Sequence, residues 1–454
     1  MNKRISGGAL AAAALLGATA LAPAGASAGS LVEELNALLL SHPQIESARE
    51  DVAAADEGVN RAFSGFLPRA DFSGSFGYEN VDSPARRDFP YNGKEFETGH
   101  ATQATVTITQ TIFNGFRNDA TYDSAKAQKG ASEAQLESGT QAVMLEGISA
   151  YLEVLRNSLL VRLAYDSESN IVTQLDLEDE RVRRGSGIAV DVLQAKSRLQ
   201  IAKERRVAFE GAMKDSTSRY EQVFGGPPVV QEMTMPTPPV ALVPETLDEA
   251  LTAALAEHPA ILAAVKLIDV ADHSRTVASS PFYPRIDLVG TWNFENEFDG
   301  VSGERRDYKA KVEANWELFN GFGTRAATAQ ASHQYLSTID QANYTRRKVV
   351  EETRLAWQSL ETSRERVALL QNAVNIASEV FEARRKLREA GKETVINVLD
   401  AENEVFDARI NLVAAQHDAR LATYRLLTAM GRMTISNVAA GGQGVEPEAA
   451  ATDG

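Results

Sequence analysis

Along Thr105–Asn118 the chain alternates Val106, Ile108 and Ile112 with Thr105, Thr107, Thr109 and Thr111, then stops at Asn114-Gly115. A period of two that ends in a turn signal predicts a half-buried strand followed by a helix start. The pattern returns at Val312–Thr324, where Val312, Ala314, Trp316 and Leu318 face one way and Glu313, Asn315 and Glu317 the other. Each of these segments has an alternating partner upstream. Phe72, Phe76 and Tyr78 alternate with Asp71, Ser73, Ser75 and Gly77, and Ile286, Leu288, Trp292 and Phe294 alternate with Asp287, Val289, Thr291 and Asn293. The prediction is four strands in two hairpins, each of about 10 to 12 residues, which suits a tilted membrane strand of roughly 9 to 11.

Between and around the strands the period changes to that of a helix. Leu31, Leu35, Leu38 and Leu39 open a helical stretch over 31–66, which ends where Pro68 disfavours helix at Leu67. The tracts 118–183 and 324–388 are each close to 100 Å long at about 1.5 Å per residue. Val367, Leu370, Val374, Ala377 and Phe381 keep coiled-coil spacing, as do Val398, Ala401, Val405, Ala408 and Leu412 onward. Val192, Ala195, Leu199, Ala202, Phe209 and Met213 repeat that seam, with Arg206 as an interruption. The tracts stop at Arg183-Arg184-Gly185 and at Arg388-Glu389-Ala390-Gly391, with basic residues in the last turn and Gly beyond it.

The chain is therefore built twice. Ser41-His42-Pro43 recurs as Glu257-His258-Pro259, Phe66-Leu67-Pro68-Arg69 as Phe282-Tyr283-Pro284-Arg285, and Phe113-Asn114-Gly115-Phe116 as Phe319-Asn320-Gly321-Phe322. The first copy carries the longer strand-to-strand loop. The expected organisation is a signal segment over 1–28, a first repeat over 29–224, a Pro-rich linker over 225–246, a second repeat over 247–430, and a disordered tail over 431–454. Lys3 and Arg4, an Ala/Leu run and Ala26-Ser27-Ala28 make the case for the signal.

Composition narrows the environment. The 46 Lys and Arg against 62 Asp and Glu give a formal charge of −16, which argues against nucleic acid as a partner. With no Cys there is no disulfide framework, thiolate metal site or Cys lipid anchor. No later apolar run is expected to reach the roughly 18 residues of a membrane helix, so strands must do any spanning. Phe63, Phe66, Phe113, Phe116, Phe282, Tyr283, Trp316, Phe319 and Phe322 gather where strands meet helices, as an interfacial girdle does. A soluble sandwich edge with core aromatics is the competing reading. Four strands cannot close on themselves, and an open edge in lipid is costly, so several chains must pool theirs. Three would leave a water-filled bore.

A signal segment, two copies of helix, strand hairpin and helical hairpin, His-Pro steps, Phe-x-Pro-Arg junctions and a [DN]-V-L-x-A run after each tip together resemble the TolC family of outer-membrane channel-tunnels. The Asn-Gly-Phe strand ends and Val398–Glu404 resemble its type I secretion members more narrowly. The resemblance implies a mixed α+β membrane protein. A homotrimer would form a twelve-stranded outer-membrane β-barrel continued by a periplasmic α-helical coiled-coil barrel. The implied partners are outer-membrane lipid, a periplasmic adaptor and an inner-membrane ABC exporter or proton-driven pump, with no cofactor. Arg183, Arg184, Gly185, Arg388 and Gly391 become candidate adaptor-docking residues. Asp191, Asn397, Asp400, Arg388 and Glu393 become candidates for the pore entrance, with Arg388 expected to latch to Glu393 or Asp191. Helix capping and solvated carboxylates account for the same residues without any such role. The narrower resemblance implies type I protein secretion, with drug or metal efflux as the alternative.

An enzyme would need a convergent site, yet the chain holds no phosphate-binding G-x-x-x-x-G-K-[ST] loop and no H-E-x-x-H. The six His are scattered, and His42 and His258, each before Pro, read as helix starts. The structural alternative is a periplasmic adaptor, which would not need four membrane-length strands.

Overall fold

The computed structural model describes residues 30–82, 88, 96–185, 188–301 and 303–442. The expected signal segment, most of the first strand-to-strand loop and the end of the expected tail lie outside the described residues.

Ser30 caps α1 (Leu31–Ser41), and Glu33 returns a bond to the Ser30 amide at 3.1 Å. The helix breaks at His42, held extended because it precedes Pro43, which opens α2 (Pro43–Phe63). The same step at His258 separates α5 (Leu247–Glu257) from α6 (Pro259–Ser279). An 18-residue window within Leu247–Phe282 is in fact apolar enough for a membrane helix, contrary to the expectation from sequence. The His258-Pro259 break divides that stretch into two helices.

Four antiparallel strands form one sheet in the order β1 (Arg69–Asp82), β2 (Phe96–Phe113), β3 (Arg285–Asn296) and β4 (Glu304–Asn315). The first pair runs to 14 and 18 residues, longer than the alternation indicates. The ladder continues through polar residues such as Glu79 opposite Gly99, because backbone pairing needs only a neighbour. The fourth strand stops at Asn315, so Trp316 and Leu318 are not in a strand. Its last partner is Arg285, and Pro284 before it has no N–H to offer.

Helices α3 (Arg117–Arg183) and α7 (Gly323–Glu389) each run 67 residues. Helix α2 lies beside the start of α3, with Lys129 2.8 Å from Asp56. Helix α4 (Ala189–Phe224) lies beside its far half, where Asn157 bonds the Ala212 carbonyl. Helix α6 and α8 (Val395–Ala429) flank α7 in the same way. Two short helices thus stack end to end along each long one. The Ala-rich seam packs as the spacing predicts, with Val398, Ala401, Val405, Leu412 and Ala415 buried. The main core gathers where α1 and the second half of α4 meet the middle of α3 and the end of α8, around Leu35, Met144, Tyr151, Leu152, Tyr424 and Leu427.

The segment expected to be tail from residue 431 instead folds back into this core. Met433 and Val438 are buried, and Ile435–Gly442 forms α9. Arg432 anchors it through two bonds of 2.6 Å to Glu257. Apolar residues spaced among Gly and Ala carry the helix, and composition alone hid them.

Candidate functional site at the strand joints and helical tips

The sheet register sorts every side chain. Phe72 sits opposite Val106, Val106 opposite Trp292, and Trp292 opposite Tyr308; Leu288 sits opposite Gln110 and Val312. All these positions share one face, together with Phe76, Tyr78, Ile108 and Phe294. Phe72, Phe76, Tyr308 and Val312 are each about 70% exposed or more. The other face carries Asp71, Thr107, Thr291 and Lys309 in one row and Asp287, Glu313 and Lys311 nearby. There Thr111 bonds Asp287 at 2.8 Å, Thr105 bonds Asn293 at 2.7 Å, and Lys311 lies 3.2 Å from Glu313. One face is therefore lipid-compatible and the other water-compatible along all four strands. Among the described residues both edge strands, β1 and β4, lack a second neighbour.

At the base of the sheet the two Asn-Gly-Phe joints have the same geometry. Gly115 and Phe116 take φ of 68° and 64°, and Gly321 and Phe322 take 64° and 65°. Asn114 accepts from the Asn118 amide and Asn320 from the Thr324 amide, each at 3.3 Å, so the Asn side chains satisfy helix-start donors. Phe113 meets Phe116 edge-on with centroids 5.4 Å apart, and Phe319 meets Phe322 likewise at 5.5 Å. Of the expected girdle, Phe63, Phe116, Phe282, Tyr283, Trp316, Phe319 and Phe322 are exposed, whereas Phe66 and Phe113 are half-buried. Phe66 meets Phe63 at a tilt and Tyr122 edge-on, Phe113 meets Tyr283 edge-on, and the Trp316 indole donates to the Phe282 carbonyl at 3.2 Å.

The tips are the opposite ends of the long helices. Gly185 and Gly391, with φ of 78° and 72°, end α3 and α7 as left-handed caps. Arg183 and Arg184 pair locally with Asp179 and Glu180 at 2.7 and 2.9 Å and stay exposed. Arg388 does something else. Its guanidinium crosses from α7 to Glu178 on α3 at 2.6 Å and also donates to the Glu393 carbonyl at 2.8 Å. The expected latch to the Glu393 or Asp191 carboxylate is thus not formed, because the Glu393 carboxylate is engaged elsewhere. It accepts from the Asn397 amide and from the Thr394 N–H, which together hold it below the usual carboxylate range. Asp191 stands half-buried in the first turn of α4. Asp400 is paired with Arg198 at 2.7 Å.

Sequence reasoning missed Glu178, whose side chain is only 3% exposed and also receives Arg181 at 3.0 Å. It missed the role of Arg206 too, which bonds Glu168 at 2.7 Å and lies over Tyr165. An interrupting Arg in an apolar seam was the available signal. His258 accepts from the Ala260 amide through Nδ1, and burial lowers its pKa, in keeping with its reading as a helix start.

An amphipathic sheet with two open edges, mounted on helices about 100 Å long, defines a membrane channel-tunnel. The sequence pattern of the outer membrane efflux protein family matches residues 35–226 and 250–432, and the chain belongs to that family. It is 26% identical to the outer membrane efflux protein BepC of Brucella suis, over 94% of this chain and 90% of that protein. It is 24% identical to the outer membrane protein TolC of Vibrio cholerae, over 90% and 92%. It is 23% identical to the alkaline protease secretion protein AprF of Pseudomonas aeruginosa, over 87% and 83%. The crystal structure of the outer membrane protein VceC of Vibrio cholerae superposes with a TM-score of 0.74 at 17% identity, over 88% of this chain and 96% of that one. The protein is an outer-membrane channel extending into the periplasm, and its family and fold are those of non-enzymatic transport components.

Proposed function

We propose that three copies of the chain close into a twelve-stranded barrel and carry exported protein outward in type I secretion. A periplasmic adaptor docks on the tips, and an inner-membrane ABC exporter supplies the energy. The observation that carries the ring is the pair of open edges on a sheet with one lipid-compatible face, since unpaired N–H and C=O groups in lipid cost several kcal/mol each. Internal repetition gives the register of the closing pair. Arg69 faces Thr109 as Arg285 faces Asn315, so the two hairpins are equivalent. Thr109 in turn faces Val289, whose first-copy equivalent is Ser73. Asn315 should then face Ser73 of a neighbouring copy, and Trp316–Phe319 should join the strand only when that copy is present. Likewise a Cβ on Gly115 would lie 2.4 Å from the Ser280 carbonyl, whereas Gly321 has nothing within 4 Å. The equivalent neighbour of Gly321 is Ser64 of the next copy.

The chain has no native Cys, so Asn315→Cys with Ser73→Cys should give a covalent trimer on oxidation in membranes. Failure to cross-link beyond a monomer would remove the ring. In this assembly Arg388, Glu178, Glu393 and Asn397 hold the periplasmic entrance shut, Asp191 and Asp400 line it, and Arg183, Arg184, Gly185 and Gly391 receive the adaptor. The exposed aromatics at the joints anchor the barrel at the lipid headgroups.

Secretion is supported by the resemblance to AprF and by the Asn-Gly-Phe strand ends. Likeness to BepC favours drug or metal efflux as the second reading. Deleting the gene and comparing secreted proteins with drug and metal susceptibility separates the two. Loss of one large secreted protein supports secretion, and sensitisation alone supports efflux.

A further inference from the structure

Glu402, on α8 near the tips, is 6% exposed, and neither carboxylate oxygen has a hydrogen-bond partner. It lines a cavity of about 170 Å³ that opens between α3 and α7, with α8 as its floor. Burial lifts its carboxyl to about 7, and the nearby Asn170 amide on α3 offsets this only in part. A buried carboxylate without a partner is costly, so the site favours either a proton or a cation.

The rest of the lining points to a cation, and to its size. Asp166 on α3 and Glu382 on α7 stand on the same lining, and Arg409 on α8 is the single guanidinium there. Arg409 is exposed and makes no bond to Glu402. The other charges close by are already matched: Glu382 shares Arg385 at 2.7 Å, and on α4 Arg198 and Arg205 pair with Asp400 and Asp407. With Arg385 already on Glu382, the three carboxylates stand against two guanidinium groups, which leaves one negative charge. Among the described residues no group of three or more His, Asp or Glu is placed to hold a metal ion. A water occupies about 30 Å³, so the space is several times larger than a bare ion needs. Hydroxyls of Ser167 and Ser378 offer further acceptors, and the rings of Phe381 and Phe406 complete an apolar and π-rich wall.

We propose that this cavity binds a small linear diammonium cation, with one ammonium against Glu402 and the other toward Asp166, whose carboxylate stands on the same lining. Such a ligand bridges α3, α7 and α8 on the sheet side of the Arg388–Glu178 contact, and so adds to the hold between the long helices. The binding reaction needs no transport, so it succeeds or fails independently of the channel reading.

Calorimetric titration of the intact, detergent-solubilised protein with putrescine, n-butylamine and 1,4-butanediol at pH 7 tests the site. Putrescine should bind most tightly, butylamine more weakly and the diol not at all. Because the cation selects ionised Glu402, binding should release protons, seen as heats that differ between buffers of different ionisation enthalpy. Glu402→Gln removes an unpaired buried charge and should fold, as its melting curve will show. It should weaken putrescine by at least about tenfold and abolish the proton release. Absence of putrescine binding to the unaltered protein, or equal affinity in Glu402→Gln, overturns the proposal.

Discussion

The two ends of the molecule treat its duplication differently. At the strand joints the copies share their turn geometry, with left-handed Phe116 and Phe322 and matching edge-on ring pairs. At the tips they diverge. The first tip ends in exposed Arg residues paired within their own helix, whereas the second sends Arg388 across to a nearly buried carboxylate on the other long helix. A barrel requires each hairpin to enter the sheet at the same angle, so its joints have no freedom to vary. The tip contact is unequal instead, a guanidinium from the second copy set on a carboxylate from the first.

The most severe way to break this comparison is Arg388→Ala. It leaves Glu178 nearly buried with Arg181 as its remaining cation, and should cost about 3 kcal/mol at the tip. Single-channel conductance in planar bilayers should rise while strand content stays unchanged; unaltered conductance would separate the Arg388 contact from the closure. The pH response of the tip should be of similar size. The Glu402 carboxyl moves from 4.5 ordinarily to about 7 in the fold, so between these values the folded chain keeps a proton that the unfolded chain has lost. Stability should fall as pH rises from about 4.5 to 7 and level off above, by on the order of 3 kcal/mol in all. Glu402→Gln should flatten that part of the thermal-melting profile.

Smaller changes sharpen the contrast at the joints. Gly115→Ala meets both left-handed strain, about 1–2 kcal/mol, and the Ser280 carbonyl. Gly321→Ala meets the strain alone within one chain. Melting of dissociated subunits should distinguish the two variants, whereas trimer yield should suffer in both if the next copy supplies the equivalent neighbour. Least of all, Arg183→Ala or Arg184→Ala should change melting by less than about 1 kcal/mol, because both pairs are solvent-exposed.

Much of the architecture was legible because it is written in periodicities. Alternation places the strand faces, the 3-4 spacing places the Val398–Leu426 seam, and repetition pairs Asn114 with Asn320. Features that depend on residues far apart in the chain were not legible. Glu178 looks like any surface carboxylate of a polar helix, and only the fold brings Arg388 to it. The end of β4 at Asn315 was hidden because the alternation runs on through Leu318, and pattern alone cannot say whether a neighbour is present to pair with it. Helix α9 was obscured by Gly and Ala, whose abundance resembles that of an unfolded end while Met433 and Val438 do the packing.

The long helices agree to the residue, 67 in each copy, although the strands above them differ by several positions. Within this chain, length varies between the copies in the strands and not in the long helices. The helices alone therefore set how far the tips stand from the sheet, and a matched deletion of whole turns along them would shorten that reach without touching a residue of the strands.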